Sequence, residues 1–459
     1  MSFASPLRLR ARVAAVLSLL ACGACASAGA AGHGGSVSSR PLPSSTPISE
    51  VRYDVTIDSV TARTQDLGIT MRFHVKGDGP VVLALPAWSP GHYELLWFAA
   101  HVSDFDATAL GRRLPWRKLD YQTWEVTTGG AGEVAVSFRY RANLRNRAVA
   151  WTQRDLAFFN GTNVFLYPVG QGFDWPASVA IHAPADWRIA TGMPPGAAPA
   201  TFVAPNYHDL VDMPFVIGRI DFDSVRAGST WVRLASFPAG GMPADLRQRT
   251  LHWMARLIPT EGAVFHDVPF DVYTVLQLAD TIVNGGGLEH QRSQLDGVTM
   301  DGEDHAFLPY LYAHELFHAW NVKRLRPADM VPYRYDDAQP TPWLWESEGV
   351  TDYYADVSLS RSAIIDSTGF DAALANDIAA VRSVVPVALG DASLSAWIGD
   401  VDGTGGIYYP KGATAGFLLD IMIRDASDNR HSLDDVMRAL YDETYKTTWR
   451  GFTAADWWG

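Results

Sequence analysis

His314 and His318 stand four residues apart in the stretch YLYAHELFHAW, with Glu315 directly after the first. On a helix this spacing sets the two side chains one turn apart, their Cβ atoms about 5–6 Å from each other, so both imidazoles can reach a single ion. A zinc held by two histidines and a carboxylate, with one position left open, polarises a water. A neighbouring glutamate can take that water's proton and later hand it to a leaving amine. The competing interpretation is an amphipathic helix that buries two satisfied histidines. A third ligand decides between them.

Spacing narrows the choice of that ligand. The metzincin pattern requires glycine and histidine where Asn321 and Arg324 stand, so it fails. The spacing common among zinc aminopeptidases falls on Asp337, in the proline-flanked loop PYRYDDAQPTP, which has no helical support. Glu348, in WLWESEGVTDYYAD, is the better candidate because it opens a second helix. Asp352 follows one turn along the same face, placed to accept a hydrogen bond from the far nitrogen of a ligand histidine and fix its tautomer. Glu346 is the rival carboxylate; its expected role is a solvated residue favoured by the helix dipole.

The elements that must position these residues are legible in outline. Val51, Tyr53, Val55 and Ile57, then Leu67, Ile69, Met71, Phe73 and Val75, then Val134, Val136, Phe138 and Tyr140 alternate with polar residues. Period two predicts antiparallel strands with one buried face. After Gly218 the period changes. A helix opening near Pro243 places Leu246, Trp253, Met254 and Leu257 on one side, and further helices are expected at about 304–326, 347–361, 369–384, 410–425 and 432–445. Ser432 with Asp435 three residues on is close to a capping box.

Whole-chain properties limit the function. At 459 residues and 47% hydrophobic content the chain is globular and predicts two or three domains. A net charge of −13 argues against nucleic acid, which selects basic surfaces. The N-terminus carries Arg8, Arg10 and Arg12 ahead of an apolar run over 13–21, too short to span a bilayer, followed by small residues. This is a secretory leader. Both cysteines, Cys22 and Cys25, lie there, so the exported part is expected to hold no internal disulfide. LLAC around Cys22 is similar to a bacterial lipobox, which would tether the chain to a membrane through a lipidated Cys22; the alternative is plain cleavage near Ala28. Either way the Gly/Ser/Pro-rich segment 29–49 serves as a flexible linker.

HELFHAWNVKRLRP, LWESEGVTDYY, GGGLEHQRS and YYPKGA together resemble the glycyl aminopeptidase family of zinc metallopeptidases, gluzincins with a β domain ahead of a thermolysin-like catalytic domain. LPAWSPGHYELLWFAAHVSDF, FFNGTNVFLY and YHDLVDMPFVIG are similar to that family's N-terminal domain. After the signal peptide 1–28 and linker 29–49, the resemblance, which runs from Val51 to about Tyr445, implies an α+β multidomain fold: N-terminal antiparallel β domain 50–218, thermolysin-like catalytic domain 219–365 and helical region 366–459. It implies one zinc ion per chain held by His314, His318 and Glu348, with Glu315 as general base and acid and Asp352 behind a ligand. Glu289 aligns with the glutamate that holds a substrate's free α-ammonium; such a carboxylate both recognises a terminal cation and measures one residue to the scissile bond. Gly286 and Gly287 would let the chain approach substrate closely. Tyr409 matches the tyrosine that donates to the oxyanion, while Pro410 replaces an acidic residue common there and Tyr408 is expected to pack.

Other conspicuous residues read as structural. Lys323, Arg324 and Arg326 are expected to complement a helix dipole at the surface, His290 to be structural or solvent-facing, and Trp343 and Trp345 to belong to the core. Asn160-Gly161-Thr162 is a formal glycosylation sequon that a bacterial leader leaves unused. Family members commonly continue into a PDZ-like domain, which this sequence ends before, so the expectation is either a truncated C-terminus or a member without that domain. The expected function is an exported aminopeptidase of the periplasm or cell envelope that removes N-terminal glycine or alanine from peptides with a free N-terminus. The alternatives are a metalloendopeptidase on the same scaffold and a non-catalytic envelope binding module.

Overall fold

The computed structural model describes residues 42–58, 60–283, 285–299, 306–399 and 403–459. The leader and Cys22 lie outside the described residues. The alternating segments form a seven-stranded sheet in the order Thr201–Ala204, Ala177–His182, Ile48–Thr56, Asp66–Val75, Glu133–Arg141, Val102–Ala109, Arg112–Arg113. Val51, Tyr53, Val55, Leu67, Ile69, Met71, Val134 and Val136 all turn inward and are buried. One pairing departs from the antiparallel expectation: Ile48–Thr56 runs parallel to Ala177–His182. Parallel neighbours need a long crossover, and the intervening chain supplies it by building most of two four-stranded sheets.

A five-stranded sheet follows, ordered Asp221–Ala227, Thr230–Phe237, Val272–Ala279, Ser293–Val298, Gly286–Glu289. Its central strand reads VYTVLQLA without alternation and is buried along almost all of its length, as a strand covered on both faces must be. The crossover into that strand contains the helix Ala244–Phe265, which starts just after Pro243 and buries Leu246, Met254 and Leu257. Among the described residues Gly286–Glu289 pairs on one side only, with Ser293–Val298, and so presents an edge.

The remaining elements are helical. Leu308–Phe317 carries His314 and Glu315, and Thr351–Arg361 continues a wider π-helical turn, Trp345–Val350, that carries Glu348. Ser367–Arg382, Tyr408–Ala426 and Leu433–Leu440 complete the region, the last with the Ser432–Asp435 capping box formed. The π turn and Tyr408–Ala426 cross so closely that a side chain on Gly412 would overlap the carbonyl of Trp345. That crossing sets Tyr408 and Tyr409 beside Glu348. The terminal FTAADWWG also has a cap: Thr453 and Asp456 form a capping box for Ala454–Trp458, and Trp457 packs on Trp343 and Trp345.

The helix expected over 304–326 is shorter than its apolar pattern. It ends at His318, and the chain reverses with Val322 at φ +79° and its N–H bonded to the Leu325 carbonyl. Asn321 makes the reversal possible: its side-chain amide donates to Thr351 Oγ1 at 3.1 Å, fastening the loop to the Glu348 segment. The same reversal turns Lys323 and Arg324 inward, correcting the expectation that they cover the surface.

Candidate metal centre and active site

Three donors converge. His314 Nε2 and His318 Nε2 lie 3.0 Å apart, and Glu348 Oε2 is 3.6 Å from the first and 3.3 Å from the second. Each ring is oriented from behind. Asp352 Oδ1 sits 2.8 Å from His314 Nδ1 and also accepts from the Tyr310 hydroxyl, while the His318 Nδ1 lies 3.2 Å from the Asn321 carbonyl. A proton on each Nδ1 leaves both Nε2 lone pairs facing the same point. The other oxygen of Glu348 accepts from the Tyr93 hydroxyl at 3.0 Å. Two imidazole lone pairs and a carboxylate crowded into one buried spot repel unless a cation lies among them, and this N, N, O set suits zinc.

Where no cation lies among them, these groups hold one another by charge. Burial opposes ionisation of Glu348, yet His318 and His314 hold its carboxyl far below the usual range. Burial also disfavours a charged His314, but Asp352 and Glu348 beside it raise its pKa well above the ordinary value. Glu315 is different: burial pushes its carboxyl well above the carboxylate range, and Glu289, Asp296 and Glu348 push it further against the pull of His314. A carboxylate with raised proton affinity is a competent base near neutrality.

Glu315 is held against the edge strand. A side chain on Gly287 would overlap the Glu315 carboxyl, so only glycine lets the two meet. Glu289, two residues on and on the same face of the strand, offers an oxygen that together with donors of Glu315 and His318 falls within a 4.8 Å cluster. The buried Lys323 amino group lies 3.6 Å from Glu289 Oε1 and 2.9 Å from Asp212 Oδ1. On its other side Glu289 is closed by Gly91, at φ +95°, where any Cβ would collide with the carboxylate. The Tyr409 ring centre is 6.1 Å from that of His314. Burial keeps the Tyr409 phenol well above its ordinary pKa, and so a proton donor.

Thus His314, Glu315, His318, Glu348, Asp352, Glu289, Gly286, Gly287 and Tyr409 are brought to one cleft, and other candidates are not. Asp337 is exposed and accepts from the Ala338 N–H. Glu346, expected in solvent, is fully buried and is not one of the converging donors; burial pushes its carboxyl up to about 8. His290 is buried, 3.8 Å from Asp212. Arg324 and Arg326 are taken up by main-chain carbonyls. Tyr408 stacks on Tyr409. Sequence reasoning missed Gly91, Tyr93 and Arg147, which reach the cleft from the β domain. The only signal was the bare presence of SPGHY within a stretch similar to the family's N-terminal domain.

Fold and site together define a metallopeptidase, with a β-rich N-terminal part, a mixed sheet whose edge flanks a two-histidine, one-glutamate centre, and a helical remainder. Residues 52–219 match the Peptidase M61 N-terminal domain and residues 308–414 match M61 glycyl aminopeptidase. Together the two matches take in more than half of the chain, and the protein belongs to the M61 glycyl aminopeptidase family of hydrolases. Among solved structures it is similar to an aminopeptidase N family protein from Idiomarina loihiensis, with a TM-score of 0.80 and 29% identity over 87% of this chain and 71% of that one. It shares its fold with an M1 zinc metallopeptidase from Deinococcus radiodurans, solved as a mutant bound to a Tyr-Ser-Ala substrate, at a TM-score of 0.55 and 18% identity over 89% of both chains. A search of curated proteins returns no significant match.

Proposed function

We propose that the protein is a zinc-dependent aminopeptidase that removes a small N-terminal residue, glycine or alanine, from peptides. The observation that carries this reading is the cluster of Glu289, Glu315 and His318, which sets an amine-binding carboxylate beside the general base and the metal donors. His314, His318 and Glu348 would hold one zinc ion. When bound, zinc supplies Lewis acidity, polarising a carbonyl and making water more acidic.

Everything else falls to the chain. Glu289 receives the α-ammonium, which thereby lies about one residue from the base. Gly286 and Gly287 offer edge-strand N–H and C=O groups to the peptide backbone. Glu315 takes a proton from water and gives it to the departing amine, so one carboxyl serves both halves of the hydrolysis. Tyr409 donates its hydroxyl proton to the oxygen that becomes negative, a contribution worth on the order of 3 kcal/mol where such donors have been removed. Gly91 pressed on Glu289, with Tyr93 behind it packed on Trp397, leaves little room beside the amine, which supports a small first side chain.

Free and N-acetylated alanyl peptides, compared on wild type and Glu289→Gln, test the reading. Wild type should cleave only the free peptides and the variant should lose most of that activity. Equal cleavage of both by wild type would establish an endopeptidase instead. We also propose export to the periplasm or cell envelope, supported by the arginine-led apolar leader. Tethering through Cys22 is ruled out if a Cys22→Ala variant stays in the membrane fraction.

A further inference from the structure

The turn Asn160–Asn163, conspicuous in the sequence as a sequon, has a different use. Its residues are buried. Asn160 Nδ2 donates to the Arg147 carbonyl at 2.8 Å, Asn163 Nδ2 donates to the Ala148 carbonyl at 2.9 Å, and Asn146 Oδ1 accepts from the Ala148 N–H at 2.7 Å. The two asparagines also complete a reciprocal cap of the helix Gly161–Val164. An irregular segment of the β domain is thus pinned by its backbone at residues 147 and 148. Side chains held this way are aimed, because little freedom remains in the main chain beneath them.

Arg147 is aimed at the edge strand. Its Nη2 lies 2.9 Å from where a Cβ on Gly286 would stand, so the guanidinium lies directly against the strand at this glycine. Successive strand residues face opposite sides. Gly287 therefore faces Glu315, and Gly286 faces Arg147 across the strand. The order along the edge gives the direction of a bound peptide. With the amine at Glu289 and the base at Gly287, about 7 Å away at 3.3 Å per residue, Gly286 lies beyond the scissile bond, beside the departing part of the peptide.

The charges around the cleft are mostly negative. Lys323 is engaged between Asp212 and Glu289, and Arg324 and Arg326 serve main-chain carbonyls. Arg147 is half-buried, within electrostatic reach of Glu315 and Asp296. A guanidinium has five N–H donors in a planar fork, so it can keep a protein contact and still present two donors to a carboxylate.

We propose that Arg147 is a substrate-binding residue that takes a carboxylate on the leaving side of the scissile bond, supplied either by the free C-terminus of a short peptide or by an acidic side chain. The proposal rests on the reading that Glu289 holds the amine. It makes the enzyme selective at both ends of its substrate: a cation at one end and an anion at the other.

The test uses the full-length, zinc-loaded protein as wild type, Arg147→Met and Arg147→Lys, with Ala-Ala, Ala-Ala-amide and Ala-Asp-amide as substrates. A charged hydrogen-bonded pair should give the wild type a preference for a carboxylate over Ala-Ala-amide on the order of 10- to 100-fold in kcat/KM, expressed in KM. Arg147→Met should bring that ratio to about one, whatever it does to the rate common to all three substrates, and Arg147→Lys should retain part of the preference. A preference shown for Ala-Ala alone identifies the C-terminus as the source, and one shown for Ala-Asp-amide alone identifies the side chain. The proposal is overturned if wild type treats all three alike, or if Arg147→Met lowers all three equally, as a purely structural arginine would. N-acetyl-Ala-Ala, run in parallel, separates the two readings: its ready cleavage by wild type would remove the amine anchor and with it the direction assigned to the peptide.

Discussion

The Tyr93 hydroxyl donates to Glu348 Oε1 at 3.0 Å, joining residues 255 apart in sequence across the β domain and the metal centre. The oxygen it holds is the one turned away from the histidines, so the bond fixes the carboxylate's rotation and leaves Oε2 for an ion. The β domain is therefore part of the site as well as its support.

Tyr93→Phe should weaken zinc binding about 10-fold, the low end of the effect of losing a group that orients a metal ligand. Competition with a chelator of known affinity measures it directly. Unchanged affinity would mean that Glu348 is held by its helix alone.

Glu315→Gln keeps size and hydrogen bonding while removing the base. Turnover of an alanyl nitroanilide should fall by about 10²–10⁴-fold with zinc content unchanged. Retained turnover would move the base elsewhere in the cleft.

Gly287→Ala tests the contact between strand and base. A methyl overlaps the Glu315 carboxyl, so either the carboxyl or the strand must shift. A displaced base should cost roughly 10²-fold in kcat, and the crowding about 1–3 kcal/mol of stability, read by thermal unfolding. Normal kcat would show that Glu315 has room to adjust.

The Asp212–Lys323 pair predicts an acid-sensitive fold. Burial would raise the Asp212 carboxyl, but Lys323 at 2.9 Å and His290 hold it well below its ordinary value. A depressed carboxyl contributes stability that is present above the unfolded-state value near 3.9 and is lost as pH falls below it. The Tm of wild type should accordingly drop steeply below about pH 4. Asp212→Asn should be less stable at neutral pH by about 1–3 kcal/mol, because it leaves the buried Lys323 with only the more distant Glu289 at 3.6 Å, and should have a flatter acid limb. Parallel acid limbs in the two proteins would contradict the pairing.

What the sequence made legible was local. Alternation over residues 51–75 and 134–140 is a property of each strand, and His314, His318, Glu348 and Asp352 are related by single helical turns. What it hid depends on distant chain meeting. Gly91, Tyr93 and Arg147 touch Glu289, Glu348 and Gly286 from loops of the β domain, and no period connects them. Lys323 and Arg324 misled because their burial follows from the reversal at Val322, a positive φ at a β-branched residue that no propensity predicts. Glu346 misled similarly: a helix start favours acids in solvent, but this one is buried beside Asn321 of the reversed loop and Ser347.

Two triplets of donors share His318: one completed by His314 and Glu348, the other by Glu289 and Glu315. Only the first has both rings oriented from behind and leaves Glu289 and Glu315 free for the roles proposed for them. An anomalous difference map at the zinc edge, from crystals of the zinc-loaded protein, distinguishes them. The expected result is a single peak in contact with His314 Nε2, His318 Nε2 and Glu348 Oε2, with Glu289 and Glu315 outside its coordination sphere. A peak bound by Glu289 or Glu315, or one away from His314, would contradict the assignment of this cleft as an aminopeptidase centre.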